Sequence, residues 1–253
     1  MLRPPINRMG GKSRLRKTII DIIPEHICYV EPFFGAGWVY FGKEKSEVEV
    51  INDIDKELVN LFRMLKEHPE EVERVLKYEF ISRDKFAAYK NMNVEYMTEI
   101  QRAVRYLYLI SNSFGSRGVS FGYGAVKKPY QKIFKQDFEN LRERLTNTYV
   151  ENKSVFEVIE KYDRPGTLFF CDPPYLDTSE YNNKFVLEDH IRLRDVLSNI
   201  QGKFILTIND HERIRELYKD FHIKNVSVTY SISREKDARK GYGELIITNY
   251  ENT

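Results

Sequence analysis

Between residues 28 and 66 the chain runs through a short apolar segment, a glycine-bearing loop, a helical stretch, a second apolar segment and an acid. That succession leaves few folds open. Cys28-Tyr29-Val30-Glu31 and Val48-Glu49-Val50-Ile51-Asn52 have the length and β-branched content of buried strands. Pro32-Phe33-Phe34-Gly35-Ala36-Gly37 leaves the first strand and opens a helix predicted to reach about Lys43. The second strand closes on Asp53, and 56–66 carries helical spacing. Strands alternating with helices in this way predict a parallel sheet with helices on both faces. From about 69 to 145 the segments look helical, and then the alternation resumes. Strands are predicted near 148–151, 167–171, 203–207, 223–230 and 244–250, with helices near 156–161, 188–199 and 210–218. The last two strands, separated by the charged stretch 233–243, predict an antiparallel pair at the sheet edge. The expected fold is α/β: a doubly wound, mostly parallel seven-stranded sheet, Rossmann-like, interrupted by a helical insertion.

Ahead of this core, Gly10-Gly11-Lys12 precedes a helix predicted over 13–23, with Ser13 as N-cap, Leu15, Ile19, Ile22 and Ile23 on its apolar face and Pro24 ending it. At 253 residues, 42% hydrophobic and 31% charged, the chain can bury a large core and is not of the disordered class. A net charge of +2 argues neither for nor against nucleic acid, because local distribution outweighs the sum. The two cysteines, Cys28 and Cys171, lie in or beside apolar runs. With no CxxC pair and five scattered histidines lacking ligand spacing, neither a disulfide framework nor a metal site is expected. No run of 18 apolar residues predicts a membrane span, and Met1-Leu2-Arg3-Pro4-Pro5 lacks the apolar core of a signal peptide. The expected location is the cytoplasm.

Several residue groups carry chemistry. Asp172-Pro173-Pro174-Tyr175 follows the strand-like Thr167-Leu168-Phe169-Phe170-Cys171. An acid, two stiff prolines and an aromatic thus stand at the carboxyl end of a strand, the edge where open α/β sheets bind ligands. Gly35 and Gly37 permit a tight turn and close approach of a ligand to the backbone. Their spacing is not GxGxxG, so a dinucleotide pyrophosphate is not indicated. Asp53 can accept from both hydroxyls of a ribose, while Asp55 suits the N-cap of the following helix. Lys12 offers a cation for a carboxylate, or is an exposed helix-start lysine. The stretch 111–130 is polar, glycine-rich and aromatic. A loop of that length in a compact domain is functional or disordered.

Four blocks in one order resemble the DNA adenine-N6 methyltransferases of the Dam-like D12 class: Arg8-Met9-Gly10-Gly11-Lys12, Glu31-Pro32-Phe33-Phe34-Gly35-Ala36-Gly37, Asn52-Asp53-Ile54-Asp55 and Cys171-Asp172-Pro173-Pro174-Tyr175. Leu206-Thr207-Ile208-Asn209-Asp210-His211 is a looser fifth match. The resemblance spans nearly the whole chain. It implies a catalytic domain over 1–68 and 137–253, a target-recognition insertion over 69–136, and S-adenosylmethionine as cofactor. It assigns cofactor contacts to Arg8, Lys12, Phe34, Gly35, Gly37, Asp53 and Asp172. The position of Arg8 is often aromatic in such enzymes, a departure that bears on its role. Catalysis is implied for Asp172, Pro173, Pro174 and Tyr175. Asp172 and the Pro173 carbonyl would accept the two N6–H bonds of adenine, and Tyr175 would stack on a base taken out of the duplex. Transfer would be direct, without metal or covalent intermediate. Double-stranded DNA is the implied partner, with Asn112, Ser113, Arg117, Lys127 and Lys128 as candidate contacts. The charged stretch 234–240, Tyr181 and Phe185 are further candidates. A monomer is expected, and a cognate restriction endonuclease acting on the same site is a candidate partner.

Three other readings stay open on sequence. RNA methylation would use the same chemistry. A DNA-binding protein could keep the fold without turnover. A nicotinamide-dependent dehydrogenase would share the alternation, but would leave residues 172–175 without a role.

Overall fold

The computed structural model describes residues 2–8, 12–122, 137–176, 185–228 and 242–251. Its strands are β1 (Cys28–Glu31), β2 (Val48–Asn52), β3 (Thr148–Glu151), β4 (Thr167–Cys171), β5 (Lys203–Asn209), β6 (His222–Val228) and β7 (Tyr242–Thr248). They form one sheet in the order β3-β2-β1-β4-β5-β7-β6. β1 pairs parallel with β2 and β4, and β4 pairs parallel with β5. β7 lies antiparallel between β5 and β6. The antiparallel pair predicted for the sheet edge is therefore present, with its later strand on the inside.

The chain divides into two compact units. One comprises Arg14–Phe34, Ser46–Asn52 and Lys153–Thr253. Its core follows from strand register. Val30 faces Val50 on one side and Phe169 on the other, Phe169 faces Phe204, Cys171 faces Leu206, and Leu206 and Ile208 face Ile247 and Leu245. Cross-strand partners share a face of the sheet, so these residues make one continuous apolar surface. Val158 and Ile159 of α7 (Val155–Tyr162), Leu193 and Leu197 of α8 (Leu187–Ser198) and Ile214 of α9 (Glu212–Leu217) pack into the same cluster. Each such side chain, fully buried, contributes roughly 1.5–3 kcal/mol. β4 is buried along its whole length, as a continuous apolar run in a parallel sheet requires.

The other unit comprises Met1–Ser13, Gly35–Lys45 and Asp53–Asn152, and the expected insertion falls inside it. Its helices are α2 (Lys56–Glu67), α3 (Pro69–Lys77), α4 (Arg83–Asn91), α5 (Glu99–Ser111) and α6 (Phe138–Leu145). Their ends are set by local chemistry. Asp55 caps α2, Ser82 caps α4, Pro69 opens α3, and Thr98 with Gln101 forms a capping box on α5. α5 packs against α2, α3 and α4. The segment 35–45 is pinned to α6: the Tyr40 hydroxyl donates to the Arg144 carbonyl at 2.8 Å, and the Arg144 guanidinium lies 3.7 Å over the Tyr40 ring.

Two predicted helices differ from expectation, one shortened and one absent. Helix α1 spans only Arg16–Ile20, because Leu15, not Ser13, stands at its N-cap and offers no side-chain acceptor. After Gly37 the chain makes turns instead of a helix. Phe41 and Lys43 bond back to Gly37 and Val39, but Gly42 follows and no further turn is added. Strand β5 extends two residues beyond its predicted end, to Asn209.

Candidate active site

In the sheet unit, β4 ends at Cys171 and Asp172 is the next residue. Asp172 and Pro173 each precede a proline, which drives both toward extended backbone, and each proline fixes its own φ. The loop is stiff by composition. It is also held by side chains. Thr207 Oγ1 donates to Asp172 Oδ1 at 2.9 Å, Asn209 Oδ1 accepts the Leu176 N–H at 3.2 Å, and the Tyr175 hydroxyl donates to Glu244 Oε1 at 2.6 Å. Pro173 is buried and Pro174 half-buried. Tyr175, Phe33 and Phe185 flank the core, with Phe33 edge-on to Phe185 at 5.4 Å. Phe185 in turn meets the buried His190 ring edge-on at 4.7 Å. Burial pushes the His190 pKa down to about 4, against the opposing pull of Asp189 and the Pro174 carbonyl. The ring is neutral. Burial also pushes the Cys171 thiol up, so the one sulfur beside the loop stays protonated and is no nucleophile.

In the helical unit, Asp53 accepts the Gly35 N–H through Oδ2 and the Asp55 N–H through Oδ1, both at 2.9 Å. Its carboxylate is 14% exposed. Burial raises its pKa, although Arg8 and the two backbone donors oppose the rise. Arg8 Nη2 lies 2.9 Å from Asp55 Oδ2, and Nη1 lies 3.9 Å from Asp53 Oδ2. Tyr106 of α5 donates to the same Asp55 oxygen at 3.0 Å. Burial disfavours the Arg8 charge, but Tyr106, Asp53 and Asp55 outweigh it and its pKa is raised. Gly35 and Gly37 both have positive φ, +52° and +71°, which explains glycine at each. A Cβ on Gly35 would meet no atom within 4 Å. Lys12 is buried instead of exposed at a helix start. Phe34 belongs to the sheet unit, where it is buried and its N–H bonds the Asn52 carbonyl at 2.9 Å.

The loop after α5 closes on itself. Ser113 and Phe121 form an isolated antiparallel bridge, and the Gly122 N–H bonds the Asn112 carbonyl at 2.8 Å. A Cβ on Gly122 would come within 2.9 Å of the Phe114 nitrogen, so only glycine closes the loop this tightly. Asn112 is buried, and its amide donates to Tyr108 O at 2.9 Å. Ser113 Oγ donates to the Ile110 carbonyl and accepts the Gly118 N–H. Both side chains are thus used in building the loop, whereas Arg117 is exposed. Phe121 is tucked against Phe86, while Phe114 projects into solvent. Gly10, Gly11, Lys127, Lys128, Tyr181 and 234–240 lie outside the described residues.

The sequence offered little signal for Glu244 or Tyr106. An acid at the head of an apolar strand and a tyrosine in an amphipathic helix both read as ordinary. Thr207 and Asn209 lay within the loose fifth block.

The family model described as D12 class N6 adenine-specific DNA methyltransferase matches residues 9–232. The Type II methyltransferase M1.LlaDCHI of Lactococcus lactis subsp. cremoris is 30% identical, over 99% of this chain and 96% of its own length. The DNA adenine methylase of Escherichia coli is 27% identical, over 94% of this chain and 91% of its own. That of Haemophilus influenzae is 28% identical, over 96% and 92%. Among the described residues, no helix is long and apolar enough to cross a membrane.

Proposed function

Since the chain belongs to the D12 class of N6 adenine-specific DNA methyltransferases, we propose that residues 172–175 hold the target adenine and that Asp53 and the Gly35–Gly37 turn hold S-adenosylmethionine. The observation that carries this reading is the stiff acid-Pro-Pro-Tyr loop at the carboxyl end of β4. The residues present suit the cofactor. A carboxylate has about four acceptor sites, and Asp53 gives two to backbone N–H groups, leaving two for ribose hydroxyls. The open space beside Gly35 admits a ligand against the backbone. Lys12 suits the methionine carboxylate. Arg8 acts through Asp53 and Asp55, lying 3.9 Å from one carboxylate and 2.9 Å from the other and so holding both in place. When bound, S-adenosylmethionine supplies an electrophilic methyl group on a sulfonium.

The adenine N6 lone pair is conjugated with the ring and is a poor nucleophile. Asp172 accepts one N6–H and the Pro173 carbonyl the other. Those bonds favour a tetrahedral nitrogen whose lone pair is free to attack. The proline backbone holds both acceptors fixed, so little reorganisation accompanies the reaction. Tyr175 stacks on the base, which leaves the duplex to be reached. The proton departs after the methyl group has arrived, and no metal takes part. Exposed Arg117, with Lys127 and Lys128, meets phosphates. The enzyme acts as a monomer in the cytoplasm, and a restriction endonuclease acting on the same site is its candidate counterpart.

Transfer of labelled methyl from S-adenosylmethionine to unmethylated duplex DNA, with RNA in parallel, tests this. We expect N6-methyladenine in DNA, and its loss in a folded Asp172→Ala variant. Near-normal turnover by that variant would falsify the assignment. Label in RNA alone would overturn the substrate.

A further inference from the structure

Three side chains on adjacent strands reach the 172–176 loop from one face of the sheet. Thr207 and Asn209 are two residues apart on β5, so they project to the same side. Glu244 on β7 stands opposite Asn209 in register, and cross-strand partners share a face. Thr207 bonds the first residue of the loop through its carboxylate, Asn209 the last through its backbone N–H, and Glu244 the hydroxyl of Tyr175. Glu244 is the unexpected member. It is 1% exposed and is followed on β7 by Leu245, Ile246 and Ile247, all fully buried. A buried carboxylate is costly unless its partners compensate it. At this position an aliphatic side chain would pack with its strand neighbours at no such cost.

Stacking on a base needs only an aromatic face, which phenylalanine also has. The hydroxyl of Tyr175 has another use: it donates a short hydrogen bond of 2.6 Å to Glu244 Oε1. That bond fixes the pitch of the ring about its own side-chain torsions. We infer that Glu244 is a positioning residue for methyl transfer. It acts through the Tyr175 hydroxyl to hold the stacking ring in the orientation that receives the target base, and it touches neither substrate nor cofactor. The inference rests on the reading of Tyr175 as the residue that stacks on adenine.

The test is a double-mutant cycle on the whole chain. Glu244→Ala, Tyr175→Phe and the double variant are compared with wild type for single-turnover methyl transfer to unmethylated bacterial genomic DNA. Binding of S-adenosylmethionine and thermal melting are measured on the same samples. Loss of one such bond is expected to lower the methyl-transfer rate roughly tenfold in either single variant. The double variant should be no slower than the singles, and cofactor affinity should change little. Glu244→Gln retains an acceptor for the hydroxyl and should recover most of the rate lost in Glu244→Ala. A wild-type rate in Glu244→Ala, additive losses in the double variant, or a parallel loss of cofactor affinity would each overturn the inference. If Glu244→Ala does not fold, Tyr175→Phe decides, since an undiminished rate there removes any use for the bond. A wild-type chain that binds cofactor but methylates nothing would sink the mechanism proposed above. The melting cycle would still decide the coupling: non-additive shifts uphold it, additive shifts overturn it.

Discussion

Thr207 is fully buried and donates its one proton to Asp172. Valine has the same shape and lacks the hydroxyl, so Thr207→Val isolates the bond from the packing. Without that donor the carboxylate loses the bond that orients its Oδ1. The expected result is a turnover lowered by about tenfold with cofactor affinity intact, a size appropriate to one hydrogen bond to a charged group. Isothermal titration with S-adenosylmethionine beside a methylation assay separates the two. His190 supplies a pH-dependent counterpart. Well above pH 6.5 its imidazole is neutral in folded and unfolded chains alike. As the pH falls from 6.5 toward about 4, the unfolded chain takes up a proton that the folded chain refuses. Stability is therefore complete above this window and is lost as the pH descends through it. Between pH 7 and pH 5 the loss attributable to this group is about 2 kcal/mol by that linkage. Urea denaturation at the two pH values should show a smaller decline for His190→Leu than for wild type by that amount. Equal declines would mean that the ring is not shielded.

The turn after β1 is the element most dependent on backbone freedom. Gly35 holds φ at +52° with nothing near the place of a Cβ, so its cost of substitution is conformational and not steric. Gly35→Ala should lose about 1–2 kcal/mol, the left-handed penalty for an L-residue, readable by thermal melting. Gly35→Asn should lose less, because Asn tolerates that conformation. Elements of this kind also mark how far the sequence can be read. The strands and the Asp55 cap were legible because periodicity and capping are local. The helix expected after Gly37 was not there, because two left-handed glycines and Gly42 leave too few residues to propagate one. β5 outran its predicted end because Ile208 and Asn209 find partners on β7, which no local window shows. Glu244 and Tyr106 were invisible for the same reason. Their partners, Tyr175 and Asp55, lie 69 and 51 residues away along the chain.

At the scale of the whole molecule, a net charge of +2 provides no general attraction for DNA. Affinity must come from local cations, of which Arg117, Lys127 and Lys128 are the proposed set. Each phosphate contact contributes about 0.9 to the slope of log affinity against log salt on duplex DNA. Replacing all three by alanine should therefore flatten that slope by about 2.7, as measured by fluorescence anisotropy at several salt concentrations. An unchanged slope would place the phosphate contacts elsewhere. Sedimentation velocity of the free chain should show one monomeric species, and a stable dimer would contradict the proposed state.

The placement of β7 between β5 and β6 has a consequence in time. A ribosome delivers β6 before β7. Until residues 242–248 emerge, the outer edge of β5 has no neighbour and Tyr175 has no acid to hold its hydroxyl. The growing chain thus passes through a stage at which its catalytic loop is already written but still unlatched. The strand that carries the latch is the last of the seven to leave the ribosome, although in the sheet it lies between two that precede it.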